Sequence, residues 1–223
     1  MGSDKIGKRA VREEQKLARR EAILRAAFEL FAQSTFEDVS MAAVALRAGL
    51  AKGTLYLYFE TKEEMFLAVL ANSFATMFDG MDRNLLNTQA DDGISGVVEA
   101  FGQAILQDPN LLRLTAILHV VLERNVPRAT ILSFKQGMRR RLVYTGSLLE
   151  ERLPFLRPGE GLRLLMTLHA LMIGLQQFAY PTPVVAEVLE SPGMEVFRID
   201  YPEYLAEAAH NLIAGMAARA AAD

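Results

Sequence analysis

The chain has 223 residues, of which 51% are hydrophobic and 23% are charged, a composition typical of globular proteins and not of disordered or fibrous ones. It contains no cysteine, which excludes disulfides, cysteine nucleophiles and cysteine-based zinc sites. The net charge of −3 does not suggest a nucleic-acid partner, but residues 1–25 carry eight lysines and arginines against four acidic residues. This basic N-terminal arm fits either a nucleic-acid contact or an ordinary solvated helix.

The sequence from residue 17 to residue 59 predicts three helices in succession. Apolar residues recur at spacings of three and four over residues 17–31, which predicts an amphipathic first helix. Ser40 is a suitable N-cap for a short second helix ending near Ala48, and Gly49 stands where a left-handed C-terminal cap is needed. A short third helix is predicted over residues 52–59.

The later elements are also helical. Thr61 and Glu64 form a capping box for a fourth helix that runs to about Met81, and the polar stretch 87–93 predicts a loop. Prolines fall at predicted helix starts or in loops, and we see no convincing strand pattern. The further helices are predicted near residues 94–107, 109–124, 127–152, 160–179, 183–190 and 202–220. The fold class is therefore all-α, and we place a small N-terminal domain at 1–65 and a larger helical domain at 66–223.

Residues 40–59 have the pattern of a helix-turn-helix. Such a motif needs a small residue where its helices touch, a residue that tolerates positive φ in the turn and an apolar residue on the second helix. Ala45, Gly49 and Leu55 meet these needs at workable spacing. A plain helical hairpin fits the Ala-to-Gly spacing equally well. The order of a basic helix, a capped short helix, an aromatic-rich helix and a capped long helix favours the helix-turn-helix.

The stretch from about Arg19 to Leu70, above all LRAGLAKGTLYLYFETKEEMFLAVL, closely resembles the DNA-binding domain of the tetracycline-repressor family. The resemblance implies an all-helical homodimer that places its N-terminal domains in adjacent major grooves of a palindromic operator. One departure is Ala51, which stands where such proteins often have a Ser or Thr that caps the recognition helix. The residues that the resemblance implies for DNA contact are Ser40, Lys52, Gly53, Thr54, Tyr56, Tyr58 and Lys62, with Ser40, Tyr58 and Lys62 on phosphates. Because Leu55, Leu57 and Phe59 alternate with the tyrosines, we expect the tyrosines on the wet face.

The C-terminal half is rich in methionine and aromatic residues, which are ordinary core residues or the lining of an adaptable apolar cavity. The resemblance implies a ligand pocket here, and we expect a small apolar effector. The candidate ligand residues are Phe74, Phe78, Phe101, His119, Tyr144, Met172 and Gln176, with His169 as a further polar candidate. Arg139, Arg140 and Arg141 point in three directions on one helix, so they predict a solvated face.

Two late helices carry apolar stripes with small residues between them. The stripes are Leu164, Leu168, Leu171 and Leu175, and Leu205, Ala208, Ala209, Leu212, Ile213 and Met216. They suit a four-helix interface or the core of a single copy. The resemblance favours the interface, which we place at residues 160–179 and 202–220.

We expect neither an enzyme nor a membrane protein. The three histidines lie far apart, and no nucleophile elbow or phosphate loop is present, so no metal or cofactor is expected. The longest apolar stretch is shorter than a membrane span, and no signal-peptide pattern follows the basic start. We therefore expect a cytoplasmic repressor released from its operator by a ligand. The alternatives are an activator, a regulator without a ligand, and a helical protein-interaction module.

Overall fold

A computed structural model of the protein describes residues 3–89 and 92–222, with side chains from Glu13 onward. All secondary structure in these ranges is helical, which confirms the predicted fold class. The α-helices are α1 (Ser3–Ala32), α2 (Met41–Arg47), α3 (Lys52–Tyr56), α4 (Lys62–Asn87), α5 (Gly93–Leu106), α6 (Pro109–Ile117), α7 (Arg128–Arg152), α8 (Glu160–Ala179), α9 (Pro183–Leu189) and α10 (Tyr201–Ala222). A π-helical turn (Leu118–Leu122) follows α6, and a 3₁₀ turn (Glu195–Phe197) precedes α10.

Several helices differ in length from the prediction. α1 begins at Ser3, well before the amphipathic stretch, and α4 continues to Asn87. α3 ends at Tyr56 because Leu57 and Tyr58 close tight turns with their backbone N–H groups. The predicted helix 109–124 is divided between α6 and the π-helical turn. The side chains of Lys5, Lys8, Arg9 and Arg12 in the basic arm, and Ala90 and Asp91 in the predicted loop, lie outside the described residues.

The chain divides into two compact units. The first unit runs through Ala71 and also takes in Leu118–Phe134, whereas the second comprises Asn72–Ile117 and the residues from Lys135 onward. α4 therefore begins in the first unit and ends in the second. The chain also returns to the first unit between α6 and the body of α7.

The first unit has an aromatic and aliphatic core. α2 packs against both α1 and α3. Phe66 of α4 is fully buried, and its ring meets those of Phe31 and Phe36 edge-on, at centroid distances of 5.6 Å and 5.2 Å. Such edge-to-face pairs add to the free energy of burial. On the surface, Arg47 of α2 forms an ion pair with Glu29 of α1, with an N–O distance of 2.6 Å.

The second unit packs α10 against α5 and α8, and α6 against the same two helices. α7 and α8 approach so closely that a Cβ on Gly161 would lie 2.9 Å from the carbonyl carbon of Gly146. One carboxylate oxygen of Glu150 accepts hydrogen bonds from the backbone N–H groups of Gly159 (2.8 Å) and Gly161 (3.0 Å). This carboxylate therefore caps the start of α8, where free N–H groups favour negative charge.

A buried carboxylate joins α4 to α7 in the same unit. Asp82 is 7% exposed, and its Oδ1 accepts a hydrogen bond of 2.6 Å from the Thr145 hydroxyl. Arg141 lies beside it and forms an ion pair of 2.6 Å with Asp79. Desolvation raises the pKa of Asp82, against the opposing effects of the Thr145 hydrogen bond and the Arg141 charge.

Candidate nucleic-acid interface

α2 and α3 meet as a helix-turn-helix should. The two helices pack against each other, and Ala45 and Leu55, the small residue and the apolar lock, are 1% and 0% exposed. Gly49 has φ +69°, in the left-handed region that glycine adopts without strain. The Leu50 N–H donates to the Ala45 carbonyl (2.8 Å), which closes the turn. The three residues act in the structure as the sequence predicted.

The caps of these two helices differ. The Ser40 hydroxyl accepts a hydrogen bond of 3.1 Å from the Ala43 N–H and so caps α2. Ala51 occupies the N-cap of α3 with extended backbone angles but offers no side-chain hydrogen bond. The side-chain cap of the recognition helix is therefore absent here, as the departure at Ala51 predicted.

The surface around α3 is formed by a few residues of mixed chemistry. Lys52 and Gly53 are exposed, Tyr56 is 44% exposed, and Thr54 and Tyr58 are half-buried. Together these groups offer a cation, hydroxyls and a close backbone approach, which suit base edges and phosphates.

Leu57 corrects one expectation. We expected the tyrosines on the wet face and the apolar residues between them inward, yet Leu57 is 81% exposed. The reason is that α3 ends at Tyr56, so Leu57 lies in the following turn and does not continue the helical face of Leu55. An exposed leucine beside a recognition helix can contact the thymine methyl group, the apolar feature of the major groove. Sequence reasoning missed this residue because it extended α3 too far.

Lys62 is held by the backbone of the α1–α2 connection. Its ammonium donates to the carbonyl oxygens of Phe36 (2.6 Å) and Val39 (2.9 Å), and lies 3.4 Å from that of Glu37. The same ammonium lies 4.1 Å from the centroid of the Phe36 ring. These contacts use the three N–H donors of the ammonium, so Lys62 braces the first unit.

The predicted capping box opens α4 and also reaches residues far along the chain. The Glu64 N–H donates to the Thr61 hydroxyl (3.0 Å), and the Glu64 carboxylate accepts from the backbone N–H of Glu60 (2.8 Å). The other carboxylate oxygen accepts from the Thr130 hydroxyl (2.9 Å), while the Thr61 hydroxyl donates to the Asn125 carbonyl (3.0 Å). The start of α4 is thus tied to the segment Leu118–Phe134 within the first unit.

Two family profiles match the chain in succession. Residues 23–69 match the profile of bacterial regulatory proteins of the tetR family. Residues 71–220 match a tetracyclin repressor-like C-terminal domain, which is more than half of the chain. The chain belongs to the tetracycline-repressor family. This is a family of helix-turn-helix regulators of transcription, not of enzymes.

Similar proteins include both an activator and a repressor of transcription. The chain is 35% identical to the transcriptional activator FasR of Mycolicibacterium smegmatis over 115 residues, 51% of this chain and 50% of that protein. It is 32% identical to the transcriptional repressor KstR of Rhodococcus jostii over 111 residues, 50% of each. The chain thus spans about half the length of these curated relatives. A solved structure of FadR from Bacillus subtilis, in complex with stearoyl-CoA, has the same fold, with a TM-score of 0.50 and 19% identity over 86% of this chain and 96% of that one.

The candidate ligand residues of this tetracycline-repressor family member do not form one group. Phe74, Phe78, Phe101, Met172 and Gln176 are all buried in the second unit. The ring of Phe74 lies 6.5 Å from that of Phe78 and 6.1 Å from that of His169, by centroids. Tyr144, in contrast, is 50% exposed. His119 is exposed in the first unit, where its Nδ1 lies 3.0 Å from a Glu123 oxygen.

One cleft of about 560 Å³ lies in the second unit. It is lined by Asn84, Asn87, Thr88, Asp92, Ser95, Gly96, Glu99, Ala100 and Gln103. This lining is mostly polar and contains none of the candidate ligand residues, so it does not match an apolar effector. Among the described residues, no group of acidic and histidine side chains is placed to hold a metal ion.

Proposed function

We propose that the protein is a homodimeric regulator that binds a palindromic operator through α2 and α3 of each copy. The observation that carries the proposal is the surface around α3, where Lys52, Tyr56 and Leu57 are exposed on a tightly packed helix pair. A rigid platform with cationic, hydroxyl and apolar groups can recognise base edges while its cations hold phosphates. Gly53, Thr54 and Tyr58 complete the proposed contact surface, with Ser40 at the start of α2.

The operator can be found by selection from a random DNA pool with the purified chain. We expect a two-fold symmetric consensus whose half-sites lie about one helical turn, roughly 34–36 Å, apart. Tyr56→Ala should weaken binding to this consensus, whereas Tyr144→Ala is a matched control because Tyr144 on α7 is similarly exposed, 50% against 44%. Enrichment of no sequence, or equal affinities of both variants and the wild type, would contradict the proposal.

The dimer contact is proposed on α8 and α10. Leu164, Leu168, Leu205, Ala209 and Ile213 of the predicted stripes are buried within a single copy, so they serve its own core. A different ridge on α8 remains exposed and is spaced four residues apart: Met166, Ala170, Gly174 and Phe178. Its small central residues permit close approach of a second helix.

Light scattering coupled to gel filtration tests this surface. Ala170→Glu should yield a monomer, while Ser133→Glu, which adds the same charge at an exposed site on α7, should remain a dimer. A dimer in both variants would overturn the assignment.

α8 also has the length and composition of a membrane-spanning helix, and only 28% of its most apolar stretch is buried. The core helices of soluble proteins can have the same length and composition. We assign the exposed ridge to contact with the second copy, and the protein to the cytoplasm.

The effector is proposed to be a small apolar molecule bound in the second unit near Phe74, Phe78 and His169. The stearoyl-CoA in the Bacillus subtilis structure makes a fatty acyl chain the first probe. We expect stearoyl-CoA to raise the thermal midpoint, since a ligand that binds only the folded state stabilises it, and to release the operator. Coenzyme A alone is the control. Unchanged operator affinity and midpoint with stearoyl-CoA and with stearate would refute this ligand class.

The sign of regulation is proposed to be repression, as for KstR, although FasR is an activator by name. A dimer seated on an operator excludes other proteins from that DNA, which requires no further contact surface. Deletion of the gene should raise expression from the promoter that holds the selected operator. A fall in expression would establish activation instead.

A further inference from the structure

The N-terminal part of α1 projects from the rest of its unit. All residues from Glu13 to Glu21 are exposed, including Leu17 at 61%, and burial begins only at Ile23. The family profile for the DNA-binding domain starts at this same residue, 23, so the preceding helix lies outside the matched domain. A polar, unpacked helix gains little stability from its own chain, and its surface is free for another partner.

The cations of this helix fall on one face. Lys16, Arg19 and Arg20 are exposed, and within the described residues neither Lys16 nor Arg19 forms an ion pair. The sequence continues the same helical register through Lys5, Lys8, Arg9 and Arg12. At 3.6 residues per turn the seven positions fall within an arc of about 120°, with Glu13 just outside its edge and Glu14 and Glu21 on the opposite side. We call these seven residues the cationic stripe.

The inner end of the cationic stripe lies beside the DNA-reading motif. The Arg20 guanidinium carbon is 5.3 Å from the centroid of the Phe59 ring. Phe59 is buried just beyond the end of α3, so this contact ties the stripe to the segment that carries Tyr56 and Leu57. From Lys5 to Arg20 the helix is about 22 Å long, the length of roughly six or seven base pairs of duplex.

We propose that the cationic stripe binds the phosphate backbone of duplex DNA outside the bases contacted by α2 and α3. The inference rests on the proposed operator binding. Charge complementarity selects this partner, because a one-sided row of cations matches the row of phosphates along a DNA strand. Glu14 and Glu21 on the opposite side of the helix limit the attraction to one face. The stripe thus adds affinity without base specificity.

The experiment compares two duplexes that carry the selected operator, one with about two flanking base pairs and one extended by about one helical turn, roughly 10 base pairs, on each side. Binding is titrated at several salt concentrations with the full chain, the double variant Lys16→Ala/Arg19→Ala and the control Arg139→Ala/Arg140→Ala. The control removes the same charge from exposed positions on α7. Alanine favours helix at all four sites, and circular dichroism verifies that each variant is folded.

The wild type and the control should bind the long duplex more tightly and with a steeper salt dependence than the short one. Lys16→Ala/Arg19→Ala should lose that gain, with affinity for the long duplex at 0.1 M salt lowered roughly 10- to 100-fold and a log–log salt slope flatter by about 1 for each lost phosphate contact. The exchange variant Lys16→Arg/Arg19→Lys should behave as wild type, because phosphates respond to charge.

Two outcomes separate the inference from the proposed function. If Lys16→Ala/Arg19→Ala keeps wild-type affinity and salt slope on the long duplex, the cationic stripe does not bind DNA and the operator proposal stands. If the wild type enriches no operator and neither duplex is bound above random DNA, the operator proposal itself fails and the stripe inference falls with it.

Discussion

Replacement of Lys62 by methionine separates two roles for one residue. The resemblance to the family assigns Lys62 to a phosphate, whereas in the structure its ammonium is bound by backbone carbonyls of Phe36 and Val39 and lies over the Phe36 ring. Methionine keeps most of the apolar stem of lysine and removes only the charge and the donors. Any loss of stability in the variant then measures what the contacts of the Lys62 ammonium contribute to folding.

The expected magnitude follows from these contacts. A hydrogen bond from a charged donor contributes about 1.5–3 kcal/mol, and a partly exposed cation–π contact about 0.5–1 kcal/mol. Because Lys62 is half-buried, water replaces part of what is lost. We therefore expect Lys62→Met to lower the free energy of unfolding by about 2–3 kcal/mol.

Urea denaturation measures this loss, and Lys52→Met is the matched control. Lys52 is exposed on α3, so its replacement should change stability by less than about 0.5 kcal/mol while it weakens operator binding. A wild-type unfolding midpoint for Lys62→Met, together with a flatter salt dependence of DNA binding, would show that Lys62 serves the phosphate and would refute the brace.

Four further predictions test other parts of the structure. Gly161→Ala should destabilise by about 1–3 kcal/mol in urea because its Cβ would overlap the backbone of Gly146, whereas Gly102→Ala on α5, where nothing lies within 4 Å, should be neutral or stabilising. Ala51→Ser should raise the free energy of unfolding by about 1 kcal/mol, since the extended backbone at that N-cap already suits a side-chain cap; an unchanged midpoint would count against it. Leu57→Ala should reduce discrimination of one thymine in the operator by about 1 kcal/mol, and equal base preferences in the variant and the wild type would exclude the methyl contact. Because the pKa of Asp82 is raised in the folded state, its contribution to stability is full below the unfolded pKa near 3.8 and is lost as pH rises through the folded pKa. Over that pH window the thermal midpoint of Asp82→Asn should therefore decline less than that of the wild type.

The local features of the DNA-binding half could be predicted from the sequence because each depends on a few neighbouring residues. Three such features are the cap at Ser40, the left-handed turn at Gly49 and the capping box of Thr61 and Glu64. Each depends only on residues within four positions of one another in the sequence. The exact end of α3 is less determined, since a five-residue helix gains little from its own hydrogen bonds. That uncertainty placed Leu57 on the wrong face.

Features that depend on distant residues could not be predicted. Nothing local to Lys62 indicates carbonyl partners 23 to 26 positions earlier, and nothing local to Thr130 indicates a bond to Glu64, 66 positions away. The stripe of Leu205, Ala209 and Ile213 has helical spacing, but spacing does not distinguish the core of one copy from a contact between two. The exposed ridge on α8 is distinguished from the predicted stripe of the same helix only by the burial of Leu164 and Leu168.

The bonds at Glu64 bear on how a ligand in the second unit could reach the DNA-binding helices in the proposed mechanism. The chain enters the segment Leu118–Phe134 from α6, which lies in the second unit, and leaves it through α7, which ends in the second unit. Within the first unit this segment holds the start of α4 through Thr130 to Glu64 and Thr61 to Asn125. Each such hydrogen bond contributes about 1 kcal/mol, and allosteric coupling between two sites amounts to about 1–3 kcal/mol. In the proposed mechanism, making or breaking these two bonds on effector binding would therefore supply a free energy of the size that such coupling requires.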